Sequence, residues 1–314
     1  MGPKIAKRLM FGVPTILGVS FILYFLMAVL PGDPTTTLLP DDAPQEARDA
    51  LRHEMGLDKP LPVRYVRWLN DVAHGNLGYS RQRRRDVSEL IATAWQNTAS
   101  LALITAVVGI GLGIAAGTTA AVFHGHWPDR LLSLTAISGF SIPSFWVAIL
   151  LLIVFSAQLK WLPASGIGSI TNGPGDFLRH MIMPLTAGAV VIVGITARIT
   201  RASVIETYGA DFVDLLRAKG LNSWQILWHV GKNAVSPVLA TAGVQIGNLL
   251  GGSVLIETIF SWPGLGQLTY IAISARDLVV VQAALLVIAI TFMLLNILFD
   301  IMQAVFDPRQ RRLA

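Results

Sequence analysis

Six blocks of about twenty residues, nearly free of charge, divide this 314-residue chain at 10–30, 98–122, 132–156, 181–199, 235–256 and 278–299. Each block is long enough as a helix to cross a hydrocarbon core of about 30 Å. A backbone in lipid must satisfy its own hydrogen bonds, which restricts such blocks to helices. With 53% hydrophobic and 14% charged residues, the chain is also far more apolar than a soluble domain of its size. The expected fold is an all-α integral membrane protein with six transmembrane helices. Pro184 and its small neighbours make the start of the fourth block the weakest of these signals.

Basic residues in short loops set the orientation, because cytoplasmic loops retain them. With the N-terminus inside, the cytoplasmic segments hold Lys4, Lys7, Arg8, Arg130, Arg198, Arg201, Arg217, Lys219, Lys232, Arg309, Arg311 and Arg312, and the short outside loops only Lys160, Arg179 and Arg276. Twelve against three predicts N-in/C-in topology. The net charge of +5 then follows largely from membrane orientation, with no nucleic-acid partner required. Lys4, Lys7 and Arg8 precede an apolar run longer than the roughly 7–15 residues of a signal-peptide core, and no small-x-small site follows. The run is therefore expected to be an uncleaved first span. The absence of cysteine excludes a disulfide scaffold and thiolate metal or redox chemistry.

The chain divides into 1–30 (N-terminus and first span), 31–97 (an extracytoplasmic loop or cap) and 98–314 (a core of five spans with a cytoplasmic loop at about 200–234). Cap helices are predicted at about 44–55, opened by Pro44 and closed by Gly56, and at 62–73, where Arg64, Arg67 and Trp68 share one face. The cap has too few large apolar residues for a core of its own. Arg81-Gln82-Arg83-Arg84-Arg85 is the densest charge; a solvated turn balanced by Asp86 and Glu89 is favoured over a docking contact for an acidic partner.

Gly109, Gly113 and Gly117 recur every fourth residue in the second span, as do Gly243, Gly247 and Gly251 in the fifth. That spacing lines small residues along one face and predicts close helix packing. Gln245 and Asn248 lie on another face of the fifth span and are candidates for a translocation path. Pro143, inside Ser141-Ile142-Pro143-Ser144, should kink the third span, with serine hydroxyls satisfying freed carbonyls.

The polar stretch 211–221 has helical periodicity, with Phe212, Leu215 and Leu216 on one side and Asp211, Asp214 and Arg217 on another. Gly220 can end that helix in the left-handed conformation, with Leu221 folding back on it. Ser223 is then a candidate N-cap for a second helix with Trp224, Leu227 and Trp228 on an apolar face, and Pro237 would fall in the first turn of the fifth span. Such a helix–turn–helix would act as a lever on a soluble subunit, or would merely pack on its own helix ends with its tryptophans at headgroup level; physics alone leaves both open.

At this point the residues resemble a known family. Asp214-x5-Gly220 is similar to the Glu-Ala-Ala-x3-Gly loop of ABC importer permeases. Arg217-Ala218-Lys219-Gly220-Leu221, with Lys232-Asn233-Ala234 and Ser236-Pro237-Val238, looks like the oligopeptide/dipeptide/nickel branch. Leu30-Pro31-Gly32-Asp33-Pro34, Gly56-Leu57-Asp58-Lys59-Pro60-Leu61, Phe260-Ser261-Trp262-Pro263-Gly264-Leu265-Gly266 and Asp307-Pro308-Arg309 agree in order. Three departures stand out: aspartate for the loop's glutamate, Leu215-Leu216 for its alanine pair, and Asp86-Val87 for a proline-valine. The resemblance implies a type I ABC importer permease in the bacterial inner membrane, transporting peptides or related small solutes such as nickel chelates or glutathione-like conjugates. It implies a second homologous permease, two ABC ATPase subunits, an extracytoplasmic solute-binding protein and surrounding membrane lipid as partners. By the same resemblance Asp214, Arg217, Ala218, Lys219, Gly220 and Leu221 would form the ATPase-coupling element.

Independently, Gly231-Lys232-Asn233 is not a phosphate-binding Gly-x4-Gly-Lys-Ser/Thr loop, so ATP and Mg²⁺ are expected on partner subunits and no cofactor on this chain. A self-sufficient carrier or channel is the alternative, but neither an internal repeat nor midplane ionisable residues appear; Glu257, Asp277 and Asp300 fall near span ends. A membrane enzyme would need a catalytic set. His124-Gly125-His126 lacks a carboxylate at ligand spacing and reads as a solvated turn.

Overall fold

The computed structural model describes residues 2–29, 43–54, 56, 58–168 and 173–306. Leu57, Leu30-Pro31-Gly32-Asp33-Pro34 and Asp307-Pro308-Arg309 lie outside these residues. In chain order, α1 (Gly2–Val29) is followed by the cap: α2 (Gln45–Glu54), α3 (Leu61–Ala73) and an antiparallel hairpin of β1 (Tyr79–Ser80) and β2 (Arg85–Asp86). The core comprises α4 (Val87–Val122), α5 (Trp127–Ser141), α6 (Ser144–Leu151), which runs on as a π-helical turn over Leu152–Gln158, α7 (Pro174–Tyr208), α8 (Asp211–Ala218), α9 (Ser223–Ile259), α10 (Leu265–Ser274) and α11 (Leu278–Phe306).

Helices α1, α4, α7 and α11 each carry an apolar stretch long enough to span a bilayer. The third crossing is broken rather than kinked: α5 and the α6 limb meet at 99°. Ile142 and Pro143 are both extended, and Ser141 Oγ donates to the Ile137 carbonyl at 2.8 Å. Pro143 lacks an N–H and biases Ile142 out of the helical region, which ends α5 there. With 15 residues, α5 rises only about 22 Å, short of the hydrocarbon core. Its first turn binds Arg201 near the inner end of α7, whereas Gly166, beyond the α6 limb, donates to the Phe260 carbonyl at the outer end of α9. The pair therefore traverses the molecule once. Helix α9 also crosses once, from α8 to Phe260, and bends by 50° between Leu249 and Gly251. These are the six expected crossings. Three helices start earlier than expected: α4 begins at Val87, eleven residues before 98, α7 begins ten residues before Pro184, and Pro237 lies inside continuous α9 rather than in its first turn.

The two glycine series pack differently. Helices α4 and α7 meet backbone to side chain: a Cβ on Gly109 would stand 3.0 Å from Ile192, one on Gly113 would stand 2.6 Å from Thr196, and one on Gly117 would strike the Ala197 carbonyl and Thr200. In α9, Gly243 and Gly247 instead receive the rings of Phe299 and Phe292 from α11. Gly251 stands at the bend, and a Cβ there would meet nothing within 4 Å among the described residues.

None of the α3 residues is buried, so the cap leans on the spans for support. Tyr65 packs edge-on against Phe21 and Tyr24, and its hydroxyl lies 2.9 Å from Ser20 Oγ. The arginine run forms the exposed turn of the β-hairpin, with Arg85 3.2 Å from Glu89. The hairpin is pinned to the turn between α10 and α11, where buried Ser80 donates to Asp277 Oδ2 at 2.5 Å and Gln82 donates to the Ala275 carbonyl.

Glu257 and Asp277 fall near helix ends as expected, but both are buried. Glu257 accepts hydrogen bonds from Thr98 Oγ1 (2.8 Å) and from the Gly266 (2.7 Å) and Gln267 (3.1 Å) amides, so it caps α10 from inside the protein. Thr98 Oγ1 in turn accepts from the Leu265 amide at 2.7 Å. Fully buried Trp262 donates to the Asn97 carbonyl at 3.0 Å, and Asn97 returns a bond to the Pro263 carbonyl at 2.9 Å. The turn joining α9 to α10 is thereby fastened to α4.

Candidate functional site

Opposite the cap, α8 and the first turns of α9 form a hairpin over the inner ends of α4 and α7. Asp211 and Asp214 sit in the first turn of α8 and Arg217 in its last, each on the side the helix dipole favours. Arg217 Nη1 lies 2.8 Å from Asp214 Oδ1, and its guanidinium stacks 5.3 Å from the Tyr208 ring.

The stop is the predicted one. Gly220 has φ +78°; its amide donates to the Arg217 carbonyl (2.9 Å), and the Leu221 amide donates to that of Leu216 (3.2 Å). These are the two bonds of a Schellman motif, and the left-handed residue between them costs least as glycine. The following N-cap is Asn222, not Ser223. Its side chain accepts from the Gln225 amide at 2.9 Å, while Gln225 Oε1 accepts from the Asn222 amide at 2.9 Å. The glutamine three residues on closes a capping box that selects Asn222.

The inward face of the hairpin also differs from the expected one. Val213 is fully buried with Val204, Ile226, Val230 and Ala234, and Phe212, Leu216 and Leu221 pack around them. Leu215 turns outward, 57% exposed. On α9, Ile226 and Val230 face in, leaving Trp224 and Trp228 76% and 63% exposed. Lys232 Nζ stands 5.0 Å from the Trp228 ring. Asp214, Arg217, Ala218 and Lys219 are likewise exposed. The outward surface thus combines a mixed-charge helix face with three large apolar side chains.

One anchor holds the α9 limb of this hairpin to α7, and a second joins α7 to α5 beside it. Ser203 Oγ donates to the Ala234 carbonyl at 3.0 Å, tying α7 to α9. Beside it, Arg201 grips Asp129 through Nε (2.5 Å) and Nη2 (2.8 Å). Asp129, buried, also accepts from the Gly125 amide (3.0 Å) and Ser133 (3.2 Å) and lies 3.2 Å from His124 Nδ1. The His124-Gly125-His126 turn is therefore part of a clamp between α5 and α7; among the described residues no group of three His, Cys, Asp or Glu is placed to hold a metal. Sequence reasoning missed the clamp, although an aspartate in the first turn after a glycine was a usable signal.

The two path candidates separate. Gln245 is buried, and Asn248 is exposed, donating to Gln245 Oε1 at a long 3.5 Å. Asn248 borders a groove that α9 shares with α1 and α11.

Residues 109–312 match the family described as binding-protein-dependent transport system inner membrane component, and residues 4–102 match its N-terminal companion. The chain is 37% identical over 309 residues to the glutathione transport system permease protein GsiC of Escherichia coli (strain K12), covering 98% of both chains. It is 39% identical over 312 residues to a protein of Brucella abortus (strain 2308) provisionally named as a peptide transport system permease, covering 99% of both. Solved structures of the MetNI methionine ABC transporter in inward-facing conformations match with TM-scores of 0.57 and 0.55, at 16% identity, over 69% of this chain and 96% of theirs. At that identity the likeness is one of fold. On the family match and the near full-length relatives, this chain belongs to the binding-protein-dependent inner-membrane components, the multi-pass permease subunits of bacterial ABC importers.

Proposed function

We propose that this chain is one of two different permease subunits of an ATP-driven importer for peptides or related small solutes, and that α8 is the helix through which ATPase motion enters. In this reading two ATPase subunits hold ATP and Mg²⁺ below, and an extracytoplasmic binding protein delivers cargo above. The observation that carries the coupling role is the form of the hairpin. Its turn is capped on both sides and its inner face is packed, while Asp214, Leu215, Arg217, Ala218 and Lys219 face outward. The chain then continues without interruption from Asn222 into α9, so displacement of α8 reaches the membrane span through a single turn at Gly220–Leu221. The relatives' names, glutathione and peptide permeases, support the solute class.

Gly220→Pro tests this directly, because proline fixes φ near −65° where the turn requires +78°. Reversal of charge at Asp214, with Lys, tests the outward face. In the assembled importer in proteoliposomes, both variants should insert yet lose ATP-dependent uptake and cargo-stimulated ATP hydrolysis. Unchanged uptake in both would remove the coupling role.

A further inference from the structure

Two cavities adjoin along α1 and α11. The outer one, about 270 Å³, lies between α3, the outer end of α1 and the first turn of α11. Lys59, Arg64 and Arg67 line it, with Tyr24 and Trp68 as aromatic walls. None of these three cations forms an ion pair with a carboxylate among the described residues. Asp71 is the single acid in the lining, which keeps two net positive charges. Gln282, from α11, also lines it, and its side-chain Nε2 is buried without an acceptor among the described residues. A buried donor without a partner marks a place where an acceptor oxygen fits.

The second cavity, about 830 Å³, is a groove between α1, α9 and α11. It begins where the first ends: Leu23 adjoins Tyr24, and Leu285 lies less than a turn beyond Gln282. Its walls are mainly apolar, running from Leu23 to Phe11 on α1 and from Leu285 to Ile297 on α11. Twelve helical rises make that run about 18 Å long, somewhat more than half of a hydrocarbon core of about 30 Å. The polar side chains bordering it are Thr15, Asn248 and Asn296; Thr15 and Asn296 bond within their own helices, to the Phe11 and Phe292 carbonyls.

A cationic, aromatic-walled pocket near the outer membrane boundary, with a long apolar groove starting within a helical turn of it, has the shape and polarity of one amphiphile. We propose that Lys59, Arg64 and Arg67 bind the phosphodiester of an anionic outer-leaflet phospholipid with a phosphatidylglycerol-type headgroup, and that an acyl chain occupies the α1–α9–α11 groove. The headgroup hydroxyls then fall to Asp71 and a phosphate or ester oxygen to Gln282. Basic pockets between spans hold anionic headgroups in this manner, and tyrosine and tryptophan favour this depth. A free anion or a peptide carboxylate would use the pocket but leave the groove unexplained. Bound lipid would fasten the cap to α1 and α11, the elements the cap needs for support.

The test is lipid retention by the full-length protein in mild detergent, offered equal phosphatidylglycerol and phosphatidylcholine with matched chains and read by native mass spectrometry. The wild type should retain the anionic lipid about tenfold over the zwitterionic one. Arg64→Ala with Arg67→Ala should bring the ratio to parity, and Arg64→Lys with Arg67→Lys should restore most of it. Ala289→Phe, which fills the groove, should lower retention of both lipids and leave their ratio unchanged. Equal retention by the wild type would overturn the proposal. So would competition by soluble glycerol phosphate as effective as by the lipid, which would mean a free-anion site. A photoreactive residue at position 289 that joins another protein subunit in the assembled importer would also overturn it, by making the groove a subunit interface.

Discussion

Helix α9 is finished in opposite ways at its two ends. At the outer end Phe260 and Trp262 are almost entirely buried, Glu257 is bonded to Thr98 of α4 and to the first amides of α10, and Asn97 of α4 is bonded to Trp262 and Pro263. At the inner end the hairpin with α8 has an apolar inside, but Leu215, Trp224 and Trp228 stand outward. The difference separates two mechanical roles. A turn held by a buried carboxylate, a buried indole and two α4 side chains has its polar bonds mutually reinforced and moves with α4 as a unit. A hairpin that is locally capped but externally uncovered keeps its shape while offering an unspent surface. Exposed tryptophans and a leucine beside a mixed-charge face are the composition found at the centre and rim of protein interfaces.

The strongest way to break this contrast is to attack the outer end. Trp262→Ala removes the largest buried side chain and the indole bond to Asn97, and should cost about 3–5 kcal/mol. Thermal unfolding of the detergent-purified protein should show the largest fall there. A variant as stable as the parent would mean that the turn is not fastened to α4 at all. The Asp129–Arg201 clamp should come next. Asp129→Asn keeps the shape but loses the charge-assisted pair, at about 2 kcal/mol. Replacing both residues, Asp129→Leu with Arg201→Met, should restore part of that loss, because removing both charges leaves neither stranded. A double variant worse than the sum of the single changes would show that the clamp does more than join α5 to α7.

How much of this could be read from the sequence follows the range of the interactions. The span count was legible because length and apolarity are properties of contiguous residues. Gly220 was legible because the Schellman stop is made by residues within six positions. Asn222 was recoverable too: Gln225 three residues later is the capping-box signal, and it outranks the serine beside it. Facing was not legible. In an eight-residue helix packed on one side, whether Val213 or Leu215 turns inward is decided by Val204 and Ile226 on other helices. The glycine series make the same point, since identical spacing receives the β-branched side chains of α7 in α4 and phenylalanine rings in α9. Glu257 and Asp129 find their partners 159 and 72 residues away, so local charge placement could not tell a buried cap from a cheap surface acid.

The smallest expected effect on stability is also the sharpest test of the contrast. Leu215→Ala and Trp224→Ala change exposed side chains outside the hairpin's packed cluster, so unfolding should shift by no more than about 0.5 kcal/mol. If the outward face meets the ATPase subunits, Trp224→Ala should still weaken their retention by the permease about tenfold and Leu215→Ala by less, since tryptophan is among the side chains that dominate such contacts. Stability and retention would then separate completely at the inner end, whereas at Trp262 any loss of retention should follow the loss of folding. Full retention with both alanines in place would move the tryptophans to a different role, as headgroup anchors at the membrane surface. The inner face would then transmit motion through Asp214, Arg217 and Lys219 alone. In that case raising the salt concentration should release the ATPases from the double-alanine permease, because exposed charges are screened within about 8 Å at physiological ionic strength and apolar contacts are not.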